Sequence, residues 1–172
     1  MSQAKRASVM GMVREPGEPL FGIELLVYEE LKRVLRARTM PPCEMNILRP
    51  REVVAAAFAN FFPAGGSAED TIWFYVVAAR CMRRLLVERA TAALYDGNHM
   101  RESSARLLKL HDALRRLQST QPQSVRIVEL YYFADCAQDE IATLMRMPSR
   151  SVAAEFRFIR AWLMSVVDDE SE

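Results

Sequence analysis

The sequence predicts an all-α protein of two small helical domains joined by a short linker, the second carrying a C-terminal helix-turn-helix. Three observations predict it. Apolar residues recur at helical spacing through every long periodic segment, and no stretch alternates convincingly as a strand. Clusters of Pro, Gly, Asp and Asn cut the chain into helix-length pieces. The stretch from Glu140 to Leu163, EIATLMRMPSRSVAAEFRFIRAWL, reads as a short helix, a tight turn and a longer helix.

Residues 1–18 read as a flexible N-terminus. A first helix is expected from about Pro19 to Arg38, with Leu20, Ile23, Leu26, Val27, Leu31, Val34 and Leu35 on its apolar face. Thr39-Met40-Pro41-Pro42 ends it, because consecutive prolines cannot continue a helix. Leu48 and Pro50 lead into a second helix, Arg51 to Phe62, and Pro63-Ala64-Gly65-Gly66 breaks the chain again. Ser67 followed by Asp70 is a capping pattern for a third helix from about Ala68 to Tyr95. The first domain thus spans 19–95. Residues 96–103, DGNHMRES, are polar and turn-forming and read as the linker. The second domain, 104–165, begins with a helix carrying Leu107, Leu110, Leu114 and Leu117, interrupted at Gln121-Pro122. Pro122 starts a fifth helix to about Phe133. In the final pair, Ile141, Ala142, Leu144 and Met145 face one way. Val152, Phe156, Ile159 and Leu163 then form one stripe of the longer helix, which is expected to open near Ser149. Residues 166–172 are an acidic tail.

Composition narrows the function. Apolar residues make up 51% of the chain and charged ones 26%, which suits a packed core with a solvated surface. No run approaches the roughly 20 apolar residues of a membrane span. The opening residues lack the apolar region of a signal peptide, so cytoplasm is the expected location and no membrane partner is expected. Cys43, Cys81 and Cys136 have neither a disulfide nor a zinc spacing and read as free thiols. A net charge of +1 is modest for a nucleic-acid binder, but the acidic tail offsets a more basic body. His99 and His111 have no ligand set around them, and no Gly-rich phosphate loop, HExxH or GxSxG string occurs. The chain reads as a binding protein, not an enzyme, with no cofactor.

The final segment resembles a known family. Glu140-Ile141-Ala142, Ser151-Val152, Arg157-Phe158 and Arg160-Ala161-Trp162-Leu163 look like the C-terminal domain of extracytoplasmic-function sigma factors, small specificity subunits of bacterial RNA polymerase. The third helix extends the resemblance through Ile72 to Arg80 and Met82-Arg83-Arg84. Leu48, Pro50, Val54, Ala57 and Phe58 resemble the helix before it. The resemblance implies promoter-specific transcription initiation, with core RNA polymerase and promoter DNA as partners and an anti-sigma factor as a further one. It implies minus-35 contacts from Arg146, Ser149, Arg150, Ser151, Arg157 and Arg160. It implies minus-10 contacts from Trp73, Arg80, Arg83 and Arg84, and polymerase contacts from Leu48, Arg51, Val54 and Phe58.

The residue types suit those roles. Arg80, Arg83 and Arg84 stand at i, i+3 and i+4, neighbours on a helix and suited to phosphates. Trp73, Phe74 and Tyr75 could stack on unpaired bases or simply fill the core. Arg83 lies in line with the apolar residues Ile72, Val76 and Ala79. Ser149 suits a helix cap, and Arg150 a contact at the start of the recognition helix. The chain also departs from the family. Ala153-Ala154 stands where basic residues are common, Ala90-Thr91-Ala92-Ala93 where an arginine run is common, Ala55-Ala56 in place of polar residues, and Arg146 in place of a turn glycine. Each lost cation removes a phosphate contact. A second reading follows: a sigma-like decoy or interaction module that has lost DNA reading and binds an anti-sigma factor or another partner. A stand-alone repressor is a third, opposed by the polymerase-docking resemblance of the first half. The linker reading has a direct test: limited proteolysis is expected to cut first near Arg101 and to leave two helical fragments.

Overall fold

A computed structural model describes residues 22–37, 49–95 and 101–168. The described residues form helices and connecting turns: α1 (Ile23–Ala37), α2 (Pro50–Phe61), α3 (Ala68–Tyr95), α4 (Arg101–Gln118), α5 (Pro122–Phe133), α6 (Gln138–Met145) and α7 (Ser149–Asp168). The all-helical expectation holds. The flexible start, Leu48, Cys43, His99 and the tail beyond Asp168 lie outside the described residues.

Local chemistry sets the boundaries. Pro50 and Pro122 occupy the first turns of α2 and α5, where a missing N–H costs nothing. At the start of α3, the Asp70 N–H donates to Ser67 Oγ at 3.1 Å, and Ser67 N–H donates back to Asp70 Oδ2 at 3.1 Å. The predicted cap is therefore made in both directions. Gly65 turns the chain at φ 82°, and Gly66 is needed for closeness: a Cβ there would stand 2.8 Å from the Phe58 ring. The linker expected over 96–103 is shorter at its C-terminal side, because α4 already begins at Arg101.

Helix α3 is the spine. Its 28 residues span roughly 42 Å at 1.5 Å per residue, and it packs against α1, α2, α4, α5 and α6. Phe74 is fully buried, with the rings of Phe58, Phe61 and Phe62 around it at centroid distances of 5.4, 5.4 and 6.1 Å. On the other side α5 brings Ile127, Val128, Leu130 and Phe133 into the core, and α7 adds Val152, Ile159 and Leu163. One apolar cluster runs through both halves of the chain. Cys81 and Cys136 are free and buried, as expected of isolated thiols, and burial pushes each up to about 12.

His111 on α4 is buried as well. Burial first, and the nearby Arg83 cation second, hold its imidazole down at about 4, against an ordinary value of about 6.5. Between those values the unfolded chain takes up a proton that the folded chain refuses. Stability from this group is thus complete above the unfolded value and is lost as pH falls toward the folded one. Urea unfolding of the wild type and of His111→Gln at about pH 7 and about pH 4.5 checks this: the wild type is expected to lose more stability on acidification than the variant.

Candidate nucleic-acid interface

The C-terminal helix pair forms as the spacing predicts, with one change at each end. Helix α6 starts at Gln138, two residues before Glu140. Glu140 acts as its capping carboxylate, accepting the Ala137 N–H at 2.7 Å. At the other end Arg146 adopts the left-handed conformation, φ 53° and ψ 43°. Met147 N–H reaches the Ala142 carbonyl at 2.9 Å and Arg146 N–H the Thr143 carbonyl at 3.2 Å. This is the pairing that closes a helix when glycine stands at the turn. Here an arginine takes the position. Helix α7 then opens directly: the Pro148 carbonyl accepts the N–H groups of Ser151 and Val152 at 2.9 and 3.2 Å. Ser149 is thus the first residue of the helix, and the capping position expected for it belongs to Pro148.

Val152, Ile159 and Leu163 turn inward, leaving Arg150, Arg157 and Arg160 exposed on the outer side of α7. Arg146 in the turn and Ser149 at the helix start are exposed too, and Ser151 is half-buried. Arg150 and Arg157 lie two turns apart on one stripe, with Ala154 between them, and Arg160 is one turn beyond Arg157. The structure therefore leaves Arg150, Arg157 and Arg160 along the outer side of one helix, with Ala154 between the first two and the exposed Phe158 between the last two. Such a surface can approach a phosphate backbone closely and reach a groove edge.

The set on α3 behaves differently. Arg80, Arg83 and Arg84 were expected to contact phosphates, and the structure instead buries two of them. Arg83 is 0% exposed and Arg80 only 7%. Both turn toward Glu129 of α5: Arg83 Nη1 donates to Oε1 at 2.8 Å, and Arg80 Nε to Oε2 at 3.4 Å. Arg83 Nη2 donates to the His111 carbonyl at 3.0 Å. The physical reason is the alignment of Arg83 with Ile72, Val76 and Ala79, which is the buried side of the helix. Arg84 is partly exposed and pairs with Glu88 at 2.9 Å, one turn along, while its guanidinium lies 5.5 Å from the Tyr28 ring centre. Trp73 is buried and its indole N–H has no partner among the described residues. In this arrangement it is a core residue, not a stacking platform.

Of the residues expected to meet polymerase, Leu48 lies outside the described residues. Val54 is fully buried, and Phe58 is half-buried against Phe62 and Phe74. These two pack the first half instead of facing out. Arg51 is exposed and already engaged: its guanidinium grips Glu140 of α6 with two hydrogen bonds, 2.6 and 2.9 Å. That grip pulls the Glu140 carboxyl below its ordinary value and raises Arg51.

Glu129 is the buried partner that sequence reasoning missed. Its signal was available: a carboxylate in the run VRIVEL, one turn from Val125 and from Phe133, on the inward side of its helix. A charge on an apolar stripe needs a buried partner, and the arginine aligned with the apolar residues of α3 is that partner. Arg126 stands beside them, its guanidinium lowered by burial first and by Arg80 second.

A family model described as ECF sigma factor matches residues 22–169, nearly the whole chain. No curated protein and no solved structure matches the chain.

The turn geometry gives a stability prediction. A left-handed residue other than glycine costs roughly 1–2 kcal/mol, and glycine returns roughly 0.5–1 kcal/mol of that as unfolded-state freedom. Arg146 also reaches Glu69, but at 4.0 Å and in solvent, where such a pair is worth little. Arg146→Gly is expected to raise stability by up to about 1 kcal/mol in urea unfolding.

Proposed function

From its membership of the ECF sigma factor family, to which this chain belongs, we propose that it directs RNA polymerase to particular promoters by reading the minus-35 element through α7. A role in transcription initiation, with RNA polymerase core and promoter DNA as partners, comes with the family. The finer reading rests on one observation: Arg146 in the tight turn, and Arg150, Arg157 and Arg160 on the helix that follows it, are all exposed. Helix N-terminal residues are the ones that reach base edges when such a helix lies in the major groove. Arg150 stands in the first turn and is assigned the base contact. Arg157 and Arg160, farther along, are assigned phosphates, and Ser149 and Ser151 support the backbone approach.

The first half is assigned the remaining tasks. Helix α2, with Leu48 before it, would dock on polymerase through Arg51 and the surface supported by Val54 and Phe58. Helix α3 is assigned the melted minus-10 strand, with Arg84 at its surface and Arg80 and Arg83 available only where their contact with Glu129 opens, while Trp73 keeps its place in the core. The two halves would act as separate domains around residues 96–103. No described helix is long and apolar enough to cross a membrane, which suits a cytoplasmic place of work. The second reading, a sigma-like decoy that engages an anti-sigma factor or another protein, is favoured by the burial of Arg80 and Arg83 and by Ala153-Ala154 on the recognition helix.

Transcription in vitro with bacterial core polymerase on a promoter library tests the proposal. Starts are expected at a subset of fragments sharing a minus-35 element. On such an element Arg150→Ala is expected to cost about 1–3 kcal/mol of binding, and much less on random DNA. Equal, small losses on every DNA for all the arginine variants of α7 would favour the decoy.

A further inference from the structure

One contact of the recognition helix is polar where its neighbours are apolar. Between the buried Val152 and Ile159, Glu155 of α7 accepts the hydroxyl of Ser124 on α5, Oγ to Oε2 at 2.8 Å. The three α7 residues stand at i, i+3 and i+7, so the bond lies on the flank of the stripe that packs α7 into the core. Ser124 is buried and Glu155 half-buried. The same hydroxyl stands 3.2 Å from Gln121 Oε1, and its one proton goes to the nearer, charged oxygen. Beside the bond lies an open cleft of about 580 Å³, walled by residues 120–124 on one side and by Ala154, Glu155 and Phe158 on the other. On that flank α7 is therefore held by a hydrogen bond more than by packed side chains. The carboxylate also stands where α5 needs an anion. Gln121, at the cap of α5, offers no side-chain bond to its free N–H groups, and a helix start favours negative charge.

We infer that Glu155 is a positioning residue for sequence reading: held by Ser124, it fixes the rotation of α7 about its own axis and so sets where Arg150 and Arg157 point. This role rests on the minus-35 reading proposed for α7. An apolar stripe tolerates small rotations, because its contacts have no direction. A hydrogen bond to a charged oxygen resists them, because it weakens steeply off line. Arginine tips lie at or beyond the outer radius of a helix, about 5–6 Å, so a turn of about 20° moves them by roughly 2 Å. A binding constellation tolerates only about 0.5 Å and 10–20°. Glu155 touches no DNA in this role. Its charge lowers the general attraction for phosphates, so its effects on affinity and on discrimination have opposite signs and can be separated.

The test uses the full chain assembled with core polymerase. Binding is measured on a fragment carrying the minus-35 element selected from the promoter library, and on the same fragment with that element scrambled. The ratio of the two affinities is the readout for Glu155→Ala, Glu155→Gln, Ser124→Ala and the double variant Glu155→Ala/Ser124→Ala. Urea unfolding checks that each variant folds. Glutamine keeps an oxygen that accepts the Ser124 hydroxyl and removes the charge. Glu155→Ala and Ser124→Ala are each expected to lower the ratio on the order of tenfold, the loss of about one aligned base contact. The double variant should lower it no further, because both changes remove the same bond. Glu155→Gln should keep most of the ratio while binding both fragments more tightly. An unchanged ratio in Glu155→Ala and Ser124→Ala, with both Glu155 variants tighter on the two fragments by one factor, would make Glu155 only a repelling charge and overturn the role. A fall in stability with an unchanged ratio would make it only a structural contact and overturn the role equally. Should Glu155→Ala not fold, Ser124→Ala and Glu155→Gln carry the same decision. A wild type that does not distinguish the fragments would overturn the reading of α7 and this role with it, and shows before any variant is compared.

Discussion

The packing of this molecule depends on one buried charge. Arg83 sits on the inward side of α3, in the middle of the helix that every neighbour leans on, and it is fully buried. A guanidinium cannot give up its proton to escape a low-dielectric site, as a lysine can. It must be met by an anion and by carbonyl oxygens, or the helix cannot be covered there. Glu129 and the His111 carbonyl are what meet it. That requirement fixes where α4 and α5 lie against α3. His111 shares this site: burial first, and the same cation second, keep its imidazole neutral well into acid. Removing Glu129 would leave a buried cation unmatched, a loss of about 3–5 kcal/mol in other proteins.

The rest of the architecture adjusts to this choice. The aromatic cluster around Phe74 holds α2 and α3 together by area and ring geometry, with no charge involved. Between α3 and α5 the contact is mixed, apolar around the rim of a buried ion pair. The first kind of contact is costly to open. The second exposes groups that water accepts readily.

Most helices were legible because capping and breaking residues act locally. Ser67 and Asp70, Pro50, Pro122 and the Arg146–Pro148 turn each set a boundary within a residue or two, and hydrophobic period supplied the rest. What sequence could not resolve was which side of α3 the arginines face. Arg80, Arg83 and Arg84 are consecutive neighbours on a helix, and phosphate-binding and core-pairing clusters look alike until a partner is identified. The hint was the alignment of Arg83 with Ile72, Val76 and Ala79. The confirming half lay some fifty residues away, in Glu129, and pairing across that distance follows from tertiary packing and from no local rule. The α7 cations were legible for the opposite reason: a single apolar stripe through Val152, Ile159 and Leu163 leaves the other positions facing outward.

The alanines of α7 bear on function in the same physical terms. Ala153 and Ala154 place no cation on the helix between Arg150 and Arg157, both of which are exposed. Fewer phosphate contacts mean weaker general attraction and a shallower dependence on salt. Base contacts then carry a larger share of the binding that remains. An interface with few cations discriminates between sequences as well as a highly basic one, at lower affinity. A protein that meets DNA together with a polymerase can work at such an affinity, because the polymerase supplies much of the hold on the promoter and the two sites are linked. For the minus-35 reading proposed for α7, such sparse charge suits a helix that reads sequence in company more than one that reads DNA alone.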